Sequence, residues 1–111
     1  MSRPAPGVGV GVGVAIGLCV AMAGCKKPDQ DLVSRGRRVY MTTCTNCHNS
    51  DPHKPGNVGP EIAGSSRALV RMRVLKGTYP PGYPPKRATK LMIPLPHLEP
   101  DIEALTEFLN Q

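Results

Sequence analysis

Aromatic residues are scarce in this chain. It has no Trp and a single Phe among 111 residues, while Pro and Gly number 13 and 12. A chain of this length has room for one domain, and domains this small often need a metal, disulfides or a cofactor to be stable. The composition therefore predicts a single domain folded around something other than its own side chains.

Acidic residues and several reactive groupings are also few or missing. Asp and Glu number 8 against 14 Lys and Arg, which gives a formal net charge of +6. The sequence has no basic stripe interleaved with aromatic residues, so we expect no nucleic acid partner, and the charge favours a protein partner with an acidic surface. It also has no paired carboxylates or nucleophile–base pair, so we do not expect a hydrolase or transferase.

The chain does contain one distinctive motif, Cys44-Thr45-Asn46-Cys47-His48. Two cysteines three apart with a histidine after the second are the attachment signature of c-type haem. On a helical turn, residues i, i+3 and i+4 share one face, so both thiols can add to the vinyl groups of one porphyrin. The histidine then faces the iron as an axial ligand. The motif predicts one covalently attached haem c per chain.

Two other sites use a C-x-x-C pair. A zinc site needs a second pair of ligands, and the sequence has no other cysteine pair at metal-ligand spacing. A thioredoxin-like dithiol needs a βαβ context, which a chain so rich in Pro and Gly does not offer. Both are less consistent with the sequence than haem attachment.

Residues 1–24 have the pattern of an export signal. Arg3 is the only charge before an apolar run over residues 8–24, which ends in small residues. The tetrapeptide Met-Ala-Gly-Cys that ends at Cys25 resembles the bacterial lipobox, whose cysteine becomes the lipidated first residue of the mature chain. This resemblance implies a signal peptide over 1–24, a lipidated N-terminus with a short linker over 25–30, and a lipid-anchored protein on the periplasmic side of a membrane.

The alternative is an uncleaved N-terminal anchor. The apolar run is short and glycine-rich for a membrane-spanning helix, which needs about 20 mostly apolar residues. Lys26 and Lys27 follow it directly and would favour a cytoplasmic C-terminus. Haem attachment at a C-x-x-C-H motif takes place outside the cytoplasm, so we prefer the lipoprotein.

Apolar periodicity predicts three helices. The first runs from residue 29 or 30 to about Tyr40, the second covers 67–76 between a cap at Ser65 or Ser66 and a stop at Gly77, and the third begins near Pro100. The apolar stripe of the first is Leu32, Val33, Gly36, Val39 and Tyr40; that of the third is Ile102, Leu105, Phe108 and Leu109.

The segments between the helices carry two further predictions. The loop after the C-x-x-C-H motif ends at Pro60, whose carbonyl suits an acceptor for the Nδ1–H of His48. We expect the proline-rich stretch from residue 77 to 100 to be extended and rich in turns, and to cover part of the folded protein. Basic residues in and before it are expected to surround one edge of the haem: Arg71, Arg73, Lys76, Lys86, Arg87 and Lys90.

In their order, the helix, C-x-x-C-H motif, Gly-Pro loop, middle helix, methionine loop and last helix resemble a class I cytochrome c domain over about residues 30–110. The resemblance implies an all-α small cytochrome c fold over 31–111, with about three to four helices wrapped around one covalently attached haem. It implies that the first and last helices cross where Gly36 and Tyr40 meet Leu105 and Phe108.

The same resemblance implies the second axial ligand. The family uses a methionine between the middle and last helices, and Met92 is the only one in that interval. His97 lies in the same loop and is the competing ligand. The soft thioether sulfur and the family pattern together favour Met92.

The expected function is electron transfer by a membrane-tethered mono-haem cytochrome c, with iron cycling between ferrous and ferric under His48 and Met92 ligation. A haem enzyme or gas sensor with an open sixth site is the alternative from another class. A third possibility is a fixed haem subunit of a larger oxidoreductase complex.

Overall fold

The computed structural model describes residues 1–7, 9–11, 13 and 28–111. Cys19, Cys25 and most of the apolar run of the predicted signal peptide lie outside these residues. The predicted cleavage and lipidation at Cys25 therefore stay predictions.

In the described part, the secondary structure is helical, with no strand. The chain forms α1 over Pro28–Thr43, α2 over Arg67–Lys76, a 3₁₀ helix over Pro96–Asp101, and α3 over Ile102–Leu109. The prediction of an all-α protein is confirmed. The first helix is longer than predicted at both ends, and the last three residues of the expected 25–30 linker belong to it, because proline is well accommodated in the first turn of a helix.

Local capping chemistry fixes both ends of α2. The Ser66 hydroxyl accepts a hydrogen bond from the Leu69 amide at 3.2 Å. Gly77 ends the helix in the left-handed conformation with φ 68°, and its amide donates to the Arg73 carbonyl at 3.1 Å. Glycine adopts this conformation at little cost, so the predicted start and stop of α2 are both confirmed.

The last helical segment differs from the prediction. The 3₁₀ helix begins at Pro96 and contains Pro100, so the predicted start of the last helix lies inside it and α3 begins two residues later at Ile102. Pro100 has no amide proton and can donate neither an α-helical nor a 3₁₀ hydrogen bond, so regular α-helical bonding begins only after it. This segment also buries Leu98 in the core.

α1 and α3 cross at Gly36. A Cβ at this position would overlap the carbonyl oxygen of Ala104 and would lie 2.9 Å from Cβ of Phe108. One turn along, the rings of Tyr40 and Phe108 pack with centroids 5.2 Å apart. The predicted close crossing is confirmed: the nearest neighbours of Gly36 are Ala104 and the predicted Phe108, and not Leu105.

The core is small. Seven buried side chains from α1, α2, the 3₁₀ helix and α3 form it: Tyr40, Val70, Val74, Leu98, Ile102, Leu105 and Leu109. On its surface, Arg35 of α1 donates from Nε to Asp101 at 2.7 Å and joins α1 to the 3₁₀ helix. This core leaves one side of the helices available for the site described next.

Candidate haem-binding site

The C-x-x-C-H sequence forms a hydrogen-bonded turn that continues directly from α1. The Cys44 amide donates to the Tyr40 carbonyl at 2.9 Å, and the amides of Cys47 and His48 donate to the Cys44 carbonyl at 3.2 and 2.9 Å. These i→i−3 and i→i−4 bonds bring residues 44, 47 and 48 to one face, as the sequence predicted.

The imidazole of His48 is oriented by the carbonyl of Pro60, with Nδ1 2.9 Å from the oxygen. A carbonyl can only accept, so Nδ1 carries the proton, and in the neutral ring this leaves the lone pair on Nε2. This tautomer is the one that binds a metal through Nε2, and the bond to Pro60 holds the ring in position. The geometry matches the acceptor role predicted for Pro60.

Two glycines let the following loop lie against this turn. A Cβ on Gly59 would lie 2.5 Å from Nδ1 of His48, and a Cβ on Gly56 would lie 2.8 Å from the Asn49 amide nitrogen. The Gly59 amide also donates to the Cys47 carbonyl at 2.9 Å. Only residues without a side chain fit here, so the loop forms a close cradle for the imidazole.

A cavity of about 330 Å³ opens beside these residues. Its lining includes all the residues that the sequence assigned to the haem: Cys44, Cys47, His48, Pro60 and Met92. Apolar side chains from the second and third helices and their flanking loops complete it, among them Ile62, Leu69, Val70, Val74, Leu95 and Leu105. Its size and apolar lining are typical of a cofactor site.

The two candidate distal ligands differ in position. Met92 is half-buried on the cavity wall, between Leu91 and Ile93, which are 65% and 70% exposed. His97 is exposed on the 3₁₀ helix and is not among the described residues that line the cavity. The arrangement favours Met92 over His97.

Burial changes the acid–base behaviour of two groups at the cavity. It raises the pKa of the Cys44 thiol to about 11, with the nearby Cys47 adding to the effect. Disulfide exchange proceeds through a thiolate, and redox dithiols have lowered pKa values, so this environment is unlike theirs. Burial also raises the pKa of Tyr40 to about 12, and the Tyr40 hydroxyl donates to the Asn49 carbonyl at 2.5 Å.

Part of the predicted basic cluster makes bonds within the protein. Arg71 pairs with Glu99 at 2.6 Å. Lys86 lies 3.3 Å from the Glu61 carboxylate, whose pKa is lowered by its own backbone amide and by Lys86. Lys76 and Lys90, the remaining lysines of the cluster, have exposed side chains.

Sequence reasoning missed a stack of side chains at the cavity wall. The rings of Tyr79 and Tyr83 are nearly parallel with centroids 5.5 Å apart, and the Arg73 guanidinium lies 4.3 Å from the centre of the Tyr79 ring. All three line the cavity. The four-residue spacing of the tyrosines in a proline-rich stretch was the available signal, but it has no meaning outside a helix.

The residues present fit a covalently attached haem. Two thiols, an imidazole with Nε2 available and a thioether border one apolar cavity, which is the donor set of c-type haem ligation. Within the described ranges, no group of three or more His, Cys, Asp and Glu side chains forms another metal site. No helix in the same ranges has the length and apolar character to cross a membrane.

Comparison with known proteins returned no match to a protein-family model, to a curated protein or to a solved structure.

Proposed function

We propose that the protein is a mono-haem c-type cytochrome that transfers electrons. The observation that carries the proposal is the single cavity lined by Cys44, Cys47, His48, Pro60 and Met92. These residues were selected from the sequence for attachment, axial ligation and ligand orientation. Their position on one apolar cavity supports the assignment of those roles.

Each residue has a distinct part. Cys44 and Cys47 would hold the porphyrin through thioether bonds. Nδ1 of His48 keeps its proton and donates it in the hydrogen bond to the Pro60 carbonyl, which would leave Nε2 to bind the iron. Met92 would supply a sulfur ligand to the iron, and a soft thioether favours the reduced state. The bound haem supplies one-electron chemistry, while the chain excludes water and keeps both ligands in place.

The finer fold assignment, a small cytochrome c fold wrapped around the haem, belongs to the same proposal. It is supported by the crossing of the first and last helices at Gly36, with Tyr40 packed on Phe108. Tyr40 and Leu105 contribute to both the core and the cavity wall, so the crossing positions the surface on which the porphyrin would lie.

We place the protein on the periplasmic side of a bacterial membrane, anchored through lipid on Cys25, with an uncleaved N-terminal anchor as the alternative. The support is the sequence of residues 1–25. Labelling with a fatty acid should mark the wild type and not Cys25→Ser. A mature protein that still contains residues 1–24 would refute the lipoprotein assignment.

Covalent haem is tested by denaturing gel electrophoresis followed by haem staining. The wild-type band should keep its colour, and Cys44→Ser with Cys47→Ser should lose it. Extraction of all the haem by acidified acetone from the wild type would overturn the proposal. Absorption spectra in both redox states would then report haem type and axial sulfur together.

A further inference from the structure

The stretch that carries Met92 is fastened to the rest of the protein by few hydrogen bonds. At its start the Tyr83 amide closes a local turn on the Pro80 carbonyl at 3.1 Å, and at its end the Leu95 amide donates to the Val74 carbonyl of α2 at 2.6 Å. Between them, in residues 84–94, the hydrogen bonds found within the described part of the chain come from the side chains of Lys86 and Arg87.

Both side chains donate hydrogen bonds to carbonyls of the loop that follows the C-x-x-C-H turn in the sequence. Arg87 donates from Nη1 to the Val58 carbonyl at 2.8 Å and from Nη2 to the Gly56 carbonyl at 3.3 Å. Lys86 donates to the Glu61 carbonyl at 2.8 Å. The acceptors therefore belong to the loop that contains Gly59 and Pro60, the residues that cradle and orient His48.

Of the two side chains, Arg87 joins the loops more firmly. Its side chain is half-buried and lines the cavity, whereas the side chains of Lys86 and Glu61 are 41% and 46% exposed. Solvent and salt weaken an exposed pair, while a planar guanidinium that donates to two carbonyls from a half-buried position is rigid and specific. Arg87 is thus the main polar link between the two loops.

We propose that Arg87 is a positioning residue for both axial ligands. It joins the loop of Met92 to the loop that orients His48, and so it keeps the thioether sulfur at the sixth position and closes that position to other ligands. The inference rests on the proposed function. It adds a reason why a loop with so little backbone hydrogen bonding can hold an iron ligand.

The test compares Arg87→Ala with Lys90→Ala, which removes an exposed positive charge from the same loop. Loss of a charged hydrogen bond should raise the open fraction of the loop roughly tenfold to hundredfold. In haem-loaded Arg87→Ala, carbon monoxide should therefore bind the ferrous protein faster by a similar factor, and the ferric sulfur-to-iron band should weaken. Lys90→Ala should match the wild type in both.

Two further measurements test whether the hydrogen bonds of Arg87 hold the loop. Arg87→Lys should lie between wild type and Arg87→Ala, because an ammonium donates to one carbonyl but lacks the guanidinium fork. Amide hydrogen exchange at Gly56, Gly59 and Leu95, whose amides are hydrogen-bonded in the two loops that Arg87 joins, should accelerate in Arg87→Ala and not in Lys90→Ala. Should Arg87→Ala fail to fold, Arg87→Gln takes its place in each comparison.

Unchanged carbon monoxide binding, sulfur band and exchange in Arg87→Ala would overturn the inference. Haem staining of the same samples separates this result from failure of the proposed function: a stained band with unchanged spectra contradicts the role of Arg87 alone. If the wild type carried no haem, the proposed function would fail, and amide exchange at Gly56, Gly59 and Leu95 would still decide whether Arg87 fastens the two loops.

Discussion

At the scale of single residues, the candidate site contains a buried tyrosine with one hydrogen-bond acceptor and one aromatic packing partner. Tyr40 is 1% exposed, donates to Asn49 and packs on Phe108. Burial is the main cause of its raised pKa, which lies at about 12 against 10.0 for the free side chain. A thioether at Cys44 would not remove that burial.

This raised pKa predicts an alkaline loss of stability. The unfolded chain releases the Tyr40 proton at lower pH than the native protein, so the stabilisation is complete below pH 10 and is lost as pH rises towards 12. The advantage of wild type over Tyr40→Phe should shrink by up to about 2–3 kcal/mol across this window. Denaturant unfolding from pH 8 to 12 measures it, with Tyr83→Phe as control. A difference that does not change with pH would contradict the prediction.

Met92 decides between an electron carrier and a haem enzyme or gas sensor. If its sulfur occupies the sixth position, Met92→Ala should abolish the weak long-wavelength band of the ferric protein, lower the reduction potential, and open the iron to carbon monoxide or cyanide, because a soft donor stabilises mainly the ferrous state. The matched control is His97→Ala, an exposed residue that should leave all three properties unchanged. A wild type that already binds carbon monoxide readily and lacks the band would favour the enzyme or sensor.

At the scale of helices, the part that sequence predicted well is the part with local causes. Ser66 and Gly77 bound α2 through bonds to residues within four positions, so the capping pattern was sufficient. The 3₁₀ helix was not foreseen, because two prolines and burial of Leu98 against distant elements decide it. Ala104 was missed for a related reason: a small residue adds little to an apolar stripe, although its backbone is what Gly36 touches.

The crossing of α1 and α3 gives a stability prediction. Any side chain at Gly36 meets the backbone of Ala104, which cannot turn aside as a flexible side chain can. Gly36→Leu should therefore lower the free energy of unfolding by about 1–3 kcal/mol or more. Arg37→Leu, on the exposed side of the same helix, should change it by only about 0.5 kcal/mol. Thermal unfolding by circular dichroism compares them, and equal midpoints would remove the crossing as a determinant of stability.

At the scale of the whole molecule, the candidate site is built from residues far apart in sequence. The motif at 44–48 predicted haem attachment, and the family resemblance predicted Met92 as the second axial ligand. The acceptors of Arg87 lie 29 and 31 residues before it, and no local pattern marks them. The sequence therefore predicted the candidate cofactor-binding groups, but not the hydrogen bonds of Arg87 that join the loops around them.

In the structure, part of the chain's positive charge is paired with carboxylates. The chain has a formal net charge of +6, but Arg71 and Lys86 each lie beside a carboxylate. Their fields are partly cancelled at short range. Lys90 is exposed and lies two residues from Met92, so it is better placed to act on an approaching partner near the proposed distal ligand.

Position, more than total charge, should therefore control association with an acidic redox protein. Lys90→Glu and Arg37→Glu change the net charge equally, but Arg37 lies on α1 and is not among the described residues that line the cavity. At low ionic strength, Lys90→Glu should slow electron transfer with a soluble flavodoxin more than Arg37→Glu does. The gap should close as salt rises, because the Debye length falls to about 10 Å at 0.1 M. Stopped-flow rates from 10 to 500 mM salt measure this, and equal slowing by both variants would show that only the overall basic charge steers the partner.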